Sequence, residues 1–110
     1  MNEEKNELVT AAMQIILHAG NARNEALDAL SEAKKFNFEK ANELLENARN
    51  SITQAHKAQT KVIQNEANGH SYEYSLLFNH AQDTLMTINS EILIAKELID
   101  ILGIIRKEAK

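Results

Sequence analysis

Three observations in this 110-residue chain predict an all-α fold. It has no proline and only three glycines, Gly20, Gly69 and Gly103. Ala, Leu, Ile, Glu, Lys, Asn and Gln dominate it, most of them helix formers. Its apolar residues recur at spacings of three and four over long stretches, the period of a helix face. The predicted architecture is an antiparallel three-helix up-down-up bundle in a single domain, 1–110. Its helices are expected over about 3–35, 38–67 and 71–108.

The first segment carries Leu8, Ala12, Ile15, Ala19, Ala22, Ala26, Ala29 and Ala33 on one face. So many alanines predict a close approach to the neighbouring helix. The stretch KKFNF, Lys34 to Phe38, breaks the pattern, and Asn37 is placed to cap a helix beginning at Phe38. The second segment repeats the spacing with Ala41, Leu44, Ala48, Ile52, Ala55 and Val62. The stretch ANGHS, Ala67 to Ser71, ends it, with Gly69 in the left-handed conformation and Ser71 as the next cap. Both connections are short, so successive helices should run antiparallel.

The third segment differs. One stripe runs Phe78, Ala81, Leu85, Ile88, Ile92, Ala95, Ile99 and Leu102, all apolar at coiled-coil spacing. A second stripe on another face runs Leu76, His80, Asp83, Thr87, Ser90, Ile94, Leu98, Ile101 and Ile105. It is apolar at both ends and polar in the middle. A three-helix bundle needs one broad apolar stripe per helix, so the second stripe implies contact with other copies of the chain. A homo-oligomer is expected, with His80 and Asp83 at or near its interface.

Composition excludes several classes of function. The net charge of -4, with basic residues scattered among Glu, offers no footprint for nucleic acid. Without cysteine there is no disulfide framework, zinc-thiolate site or cysteine nucleophile. The acidic start MNEEKNELV is unlike a signal peptide, and the apolar runs, such as ILIA, are far too short to span a membrane. A cytoplasmic protein with no direct membrane insertion is expected.

His80 and Asp83 stand out because burying either group is costly without a partner. His80 has two readings: a histidine that fills a polar layer, or a nucleophile or ligand. Imidazole is largely neutral near pH 7, so one nitrogen is free to attack phosphorus. Asp83 and Thr84, three and four residues on, are its neighbours on the helix surface. Asp83 is either a solvated carboxylate or, if the seam is a symmetry axis, one of several converging copies. Converging carboxylates need a cation or protons, and an oxygen-only site suits Mg²⁺ or Ca²⁺. His18, His56 and His70 show no ligand spacing. No glycine-rich phosphate loop, Ser-His-Asp arrangement or HExxH is present.

The stretch HAQDTLMT, His80 to Thr87, closely resembles the HAQDHLMT signature of the lactose/cellobiose-specific enzyme IIA family of the bacterial sugar phosphotransferase system. ILHAGNAR, Ile16 to Arg23, and AHKAQTKVI, Ala55 to Ile63, agree in order and spacing, so the resemblance covers nearly the whole chain. It implies a cytoplasmic homotrimer of three-helix bundles. His80 would take a phosphoryl group from HPr and pass it to a cysteine of enzyme IIB. The membrane component IIC then couples it to uptake of a β-linked disaccharide such as cellobiose or lactose. Gln82 and Thr84 would be the phosphoryl-stabilising residues, and Asp83 would meet its symmetry mates around a metal ion, Mg²⁺ or another divalent cation.

Thr84 departs from the family pattern, which usually has histidine there. A threonine hydroxyl can donate a hydrogen bond to a phosphoryl oxygen but carries no positive charge. That departure sustains one alternative, a catalytically silent helical interaction module with the same fold. A plain coiled-coil adaptor gives no reason for His80 within an apolar seam. The sugar is not legible, because the IIA subunit does not touch it.

Overall fold

The turn after the first helix shows how the chain changes direction without glycine or proline. In the computed structural model, which describes residues 2–109, α1 spans Asn2–Lys34. Its end is closed by two backbone bonds, Phe36 N–H to the Ala33 carbonyl at 2.9 Å and Asn37 N–H to the Glu32 carbonyl at 3.0 Å. This is the Schellman arrangement, which usually places glycine in the left-handed position. Here Phe36 occupies it, with φ of 63°. Its ring lies 4.2 Å from the Arg106 guanidinium and 6.3 Å from the Phe38 ring. Those contacts offset a backbone cost of about 1–2 kcal/mol for a residue with a Cβ.

Asn37 caps α2 (Phe38–Ala67) as expected, its side chain accepting from Lys40 N–H at 3.3 Å. The second helix ends in another Schellman arrangement. Gly69, φ 96°, donates to the Glu66 carbonyl, and His70 N–H reaches the Asn65 carbonyl, each at 3.0 Å.

The third helix, α3 (Leu76–Glu108), begins later than the expected residue 71. Ser75, not Ser71, is its cap, and the Ser75 hydroxyl accepts from Phe78 N–H at 3.1 Å. The cause lies in Tyr72. Its half-buried ring packs on the core, and its hydroxyl accepts from Asn65 of α2 at 2.9 Å. The His70 ring stands 4.5 Å from the Tyr72 ring. Anchored this way, the segment after Gly69 crosses the end of the bundle before a helix can start. The terminal residues of the expected domain, Met1 and Lys110, lie outside the described residues.

The expected α1 face is buried throughout, joined by Ala11. On α2, Leu45 is buried and Leu44 only half-buried, the reverse of the expected choice. On α3 the first stripe is buried from Phe78 to Ile99, and Leu102 is half-buried. Alanines with no exposed surface, Ala12, Ala19, Ala22 and Ala29 on α1 and Ala41, Ala48 and Ala55 on α2, let these two helices share the most extensive interface. The α2–α3 interface is the least extensive.

Polar ties mark the register. Asn65 donates to Glu7 at 3.2 Å and the Ser51 hydroxyl to Glu25 at 2.6 Å, so residue numbers rise on α1 as they fall on α2. Arg23 of α1 pairs with Glu91 of α3. The resulting rod measures 63 × 20 × 18 Å.

Candidate functional site

The site lies near the start of α3. Packing of Phe78, Ala81 and Leu85 into the core turns the second stripe outward, so His80 and Asp83 are both exposed. His80 is in the second turn of the helix. Helical side chains lean toward the N-terminus, so its imidazole is carried toward the end where backbone N–H groups are unsatisfied. No acidic residue occupies that first turn, so beyond the Ser75 hydroxyl no charged side chain there offsets the positive end of the helix dipole.

Thr84 is one turn beyond His80 and half-buried. Its hydroxyl donates to the His80 carbonyl at 2.8 Å. The expected donor to a phosphoryl oxygen is thus already committed to the backbone. Gln82 is two positions on from His80, about 200° around the helix. It turns to α2, where its side-chain oxygen accepts from Gln59 Nε2 at 3.0 Å. Within one chain, then, the fold brings together His80, Asp83 and Thr84 but directs Gln82 elsewhere.

Asp83 carries an exposed carboxylate one helical turn from His80. Among the described residues no group of three His, Cys, Asp or Glu is placed to hold a metal. A cation is therefore compatible with this carboxylate only where several copies of the chain converge on it. His18 and His56 are half-buried on α1 and α2, and His70 is in the connection beside Tyr72.

Both ends of the second stripe are uncovered aliphatic side chains. Leu76 is 73% exposed, Ile94 60% and Ile105 59%, with Leu98 and Ile101 about half exposed. Leu27 and Leu30 of α1 extend this face across an open groove that also touches Ile94 and Leu98. At its edge Arg23 grips Glu91 with two hydrogen bonds, 2.8 and 3.0 Å. That pairing, chiefly its hydrogen bond, raises the Arg23 pKa above its ordinary value. Arg23 and Gln59 lie in stretches with recognisable family character, but their partners are 68 and 23 residues away. Periodicity along one helix carries no signal for such pairs.

No helix among the described residues is long and apolar enough to cross a membrane. Residues 10–103 match the family model described as the PTS system, Lactose/Cellobiose specific IIA subunit. The chain is 42% identical over 101 residues to the lichenan-specific phosphotransferase enzyme IIA component of Bacillus subtilis (strain 168), covering 92% of this chain and 89% of that protein. The crystal structure of the PTS cellobiose-specific enzyme IIA from Bacillus anthracis superposes with a TM-score of 0.85 and 40% identity, over 94% of this chain and 93% of that one. The IIA(chitobiose) structure solved in complex with HPr, from the N,N'-diacetylchitobiose branch of the Escherichia coli phosphotransferase system, gives 0.79 and 32%, over 90% and 96%. The chain belongs to the lactose/cellobiose-specific IIA family of the sugar phosphotransferase system.

Proposed function

We propose that this protein is a phosphoryl carrier of sugar uptake, accepting a phosphoryl group from phospho-HPr on His80 and passing it to a cysteine of enzyme IIB. The observation that carries the reading is the position of His80. It is exposed, one turn from the N-terminal end of α3, whose first turn holds no acidic residue, and in the stretch that carries the family signature. One imidazole nitrogen forms a P–N bond as the bond to the HPr histidine breaks. That bond breaks in turn as a cysteine thiolate of IIB takes the phosphoryl group, and His80 is regenerated. The helix dipole favours the added negative charge.

The three helices run up, down and up, which the α1–α2 and α2–α3 side-chain pairings support. The working form is a cytoplasmic homotrimer, with the membrane component IIC acting downstream. Its support is the exposed apolar stripe of α3 and the groove beside Leu27, a contiguous apolar face of the kind that marks an interaction site. Three copies of Asp83 around one axis would hold Mg²⁺ or another divalent cation. The ion would supply charge neutralisation at the seam. Uptake of a β-linked sugar such as cellobiose or lactose is the process served, as the family description and the relatives suggest.

Incubation with labelled phosphoenolpyruvate, enzyme I and HPr tests the reading. Wild-type protein should be labelled and the His80→Gln variant should fold but take no label. Label mapped to another histidine would overturn the role of His80. An unlabelled wild-type protein would mean a silent module with the same fold.

A further inference from the structure

We propose that Gln59 of α2 is a positioning residue that sets the direction in which α3 presents His80, acting through Gln82. The proposal rests on the phosphoryl-transfer reading for its consequence, but not for its geometry. Near the site α3 holds the core through Phe78, Ala81, Leu85 and Ile88, all buried. Apolar burial is non-directional: it sets which face of the helix is covered, and a hydrogen bond sets the angle within that face more finely. Ala81, between His80 and Gln82, offers only a methyl group. The α2–α3 interface is also the least extensive in the bundle. Among the described residues, the side-chain hydrogen bond that crosses it is Gln59 Nε2 to Gln82 Oε1, 3.0 Å, between two half-buried carboxamides.

A directional bond on one side of a helix fixes what the other side faces. Gln82 and His80 are about 200° apart around α3, so Gln82 cannot touch a group on His80 of its own chain. It can hold the azimuth of the helix. A rotation of about 15° would carry a side-chain tip roughly 6 Å from the axis sideways by about 1.5 Å. A displacement near 1 Å is enough to spoil an in-line transfer. Asp83 and Thr84 would swing with His80. A neutral hydrogen bond shifts such an equilibrium by roughly two- to tenfold.

Two variants separate a mechanical pin from other roles of Gln59. Gln59→Leu keeps the bulk and removes the donor. Gln59→Glu can only accept, so Gln82 must turn its carboxamide over and donate, and the pin survives with reversed polarity. The first measurement is by NMR on the full chain, comparing the His80 imidazole and His80 and Asp83 backbone signals. We expect Gln59→Leu to shift them and Gln59→Glu to return them toward wild-type positions. The second is the rate of phosphoryl acceptance from phospho-HPr. Gln59→Leu should lower kcat about three- to tenfold with KM within twofold, and Gln59→Glu should recover most of the loss. Should Gln59→Leu fail to fold, Gln59→Ala, a better helix former, takes its place. Unmoved His80 and Asp83 signals without the donor would overturn the pin. So would a Gln59→Glu variant as impaired as Gln59→Leu. A wild-type protein that accepts no phosphoryl group would overturn the transfer reading instead, and the NMR comparison would still decide the pin.

Discussion

Thr84 shows how one hydroxyl can be present and still be spent. Its proton is given to the His80 carbonyl one turn back, a bond that a phosphoryl oxygen would have to outcompete. A histidine at this place would be free of that commitment and could donate from a charged ring. A charge-assisted bond is worth roughly 1.5–3 kcal/mol against about 1 for a neutral one. Thr84→His should therefore lengthen the lifetime of phosphorylated His80 near neutral pH by about three- to tenfold. Loss of label with time measures this, and equal or faster decay would show that the position does not stabilise the phosphoryl group. Arg23 works differently. Its raised pKa means that its contribution is present at any ordinary working pH and is lost only when pH climbs through that raised value. Added salt, not alkali, is the way to weaken its exposed pair with Glu91.

The helix ends carry the clearest contrasts between pattern and structure. Asn37 and Gly69 were legible because each is a residue type selected for its position. The start of α3 was not, because Ser71 and Ser75 are equally good caps. The choice fell to Tyr72, whose anchor on Asn65 is a tertiary contact with no local signature. Ser75→Ala should cost about 1 kcal/mol of stability, whereas Ser71→Ala should change it little, which thermal unfolding can compare. Leu44 and Leu45 were inseparable by spacing, since adjacent leucines both fit a broad stripe. Likewise His80, Asp83 and Thr84 could be grouped from helical spacing alone. The commitments of Thr84 and Gln82 could not, as they depend on hydrogen bonds chosen after folding. Phe36 breaks the rule that puts glycine at a left-handed helix end. A double-mutant cycle of Phe36→Asn and Arg106→Ala should give a coupling of about 0.5–1 kcal/mol, the worth of an exposed cation–π contact. Additive effects would leave the left-handed phenylalanine without this offset.

Seen along its full length, the rod is complete inside and unfinished outside. The second stripe of α3 and Leu27 leave aliphatic surface that the chain alone does not cover. In the proposed trimer Asp83 interrupts that seam with converging like charges. Asp83→Leu should give a trimer that no longer depends on metal, since buried ionic layers can be replaced by apolar ones without loss of stability. The wild-type trimer should weaken in EDTA. Sedimentation with and without chelator checks both, and a wild-type trimer unmoved by EDTA and free of bound metal would refute the metal bridge. The unequal interfaces also order events in time. A three-residue turn joins α1 to α2, and their alanine seam is the broadest in the bundle, so this hairpin closes early at small entropic cost. The third helix returns to α1 across some seventy intervening residues, as Arg23 and Glu91 mark. Ala48→Gly should accordingly slow folding, whereas Ile99→Val should chiefly speed unfolding. On that order the helix that presents His80 should be the last to arrive and the first to leave.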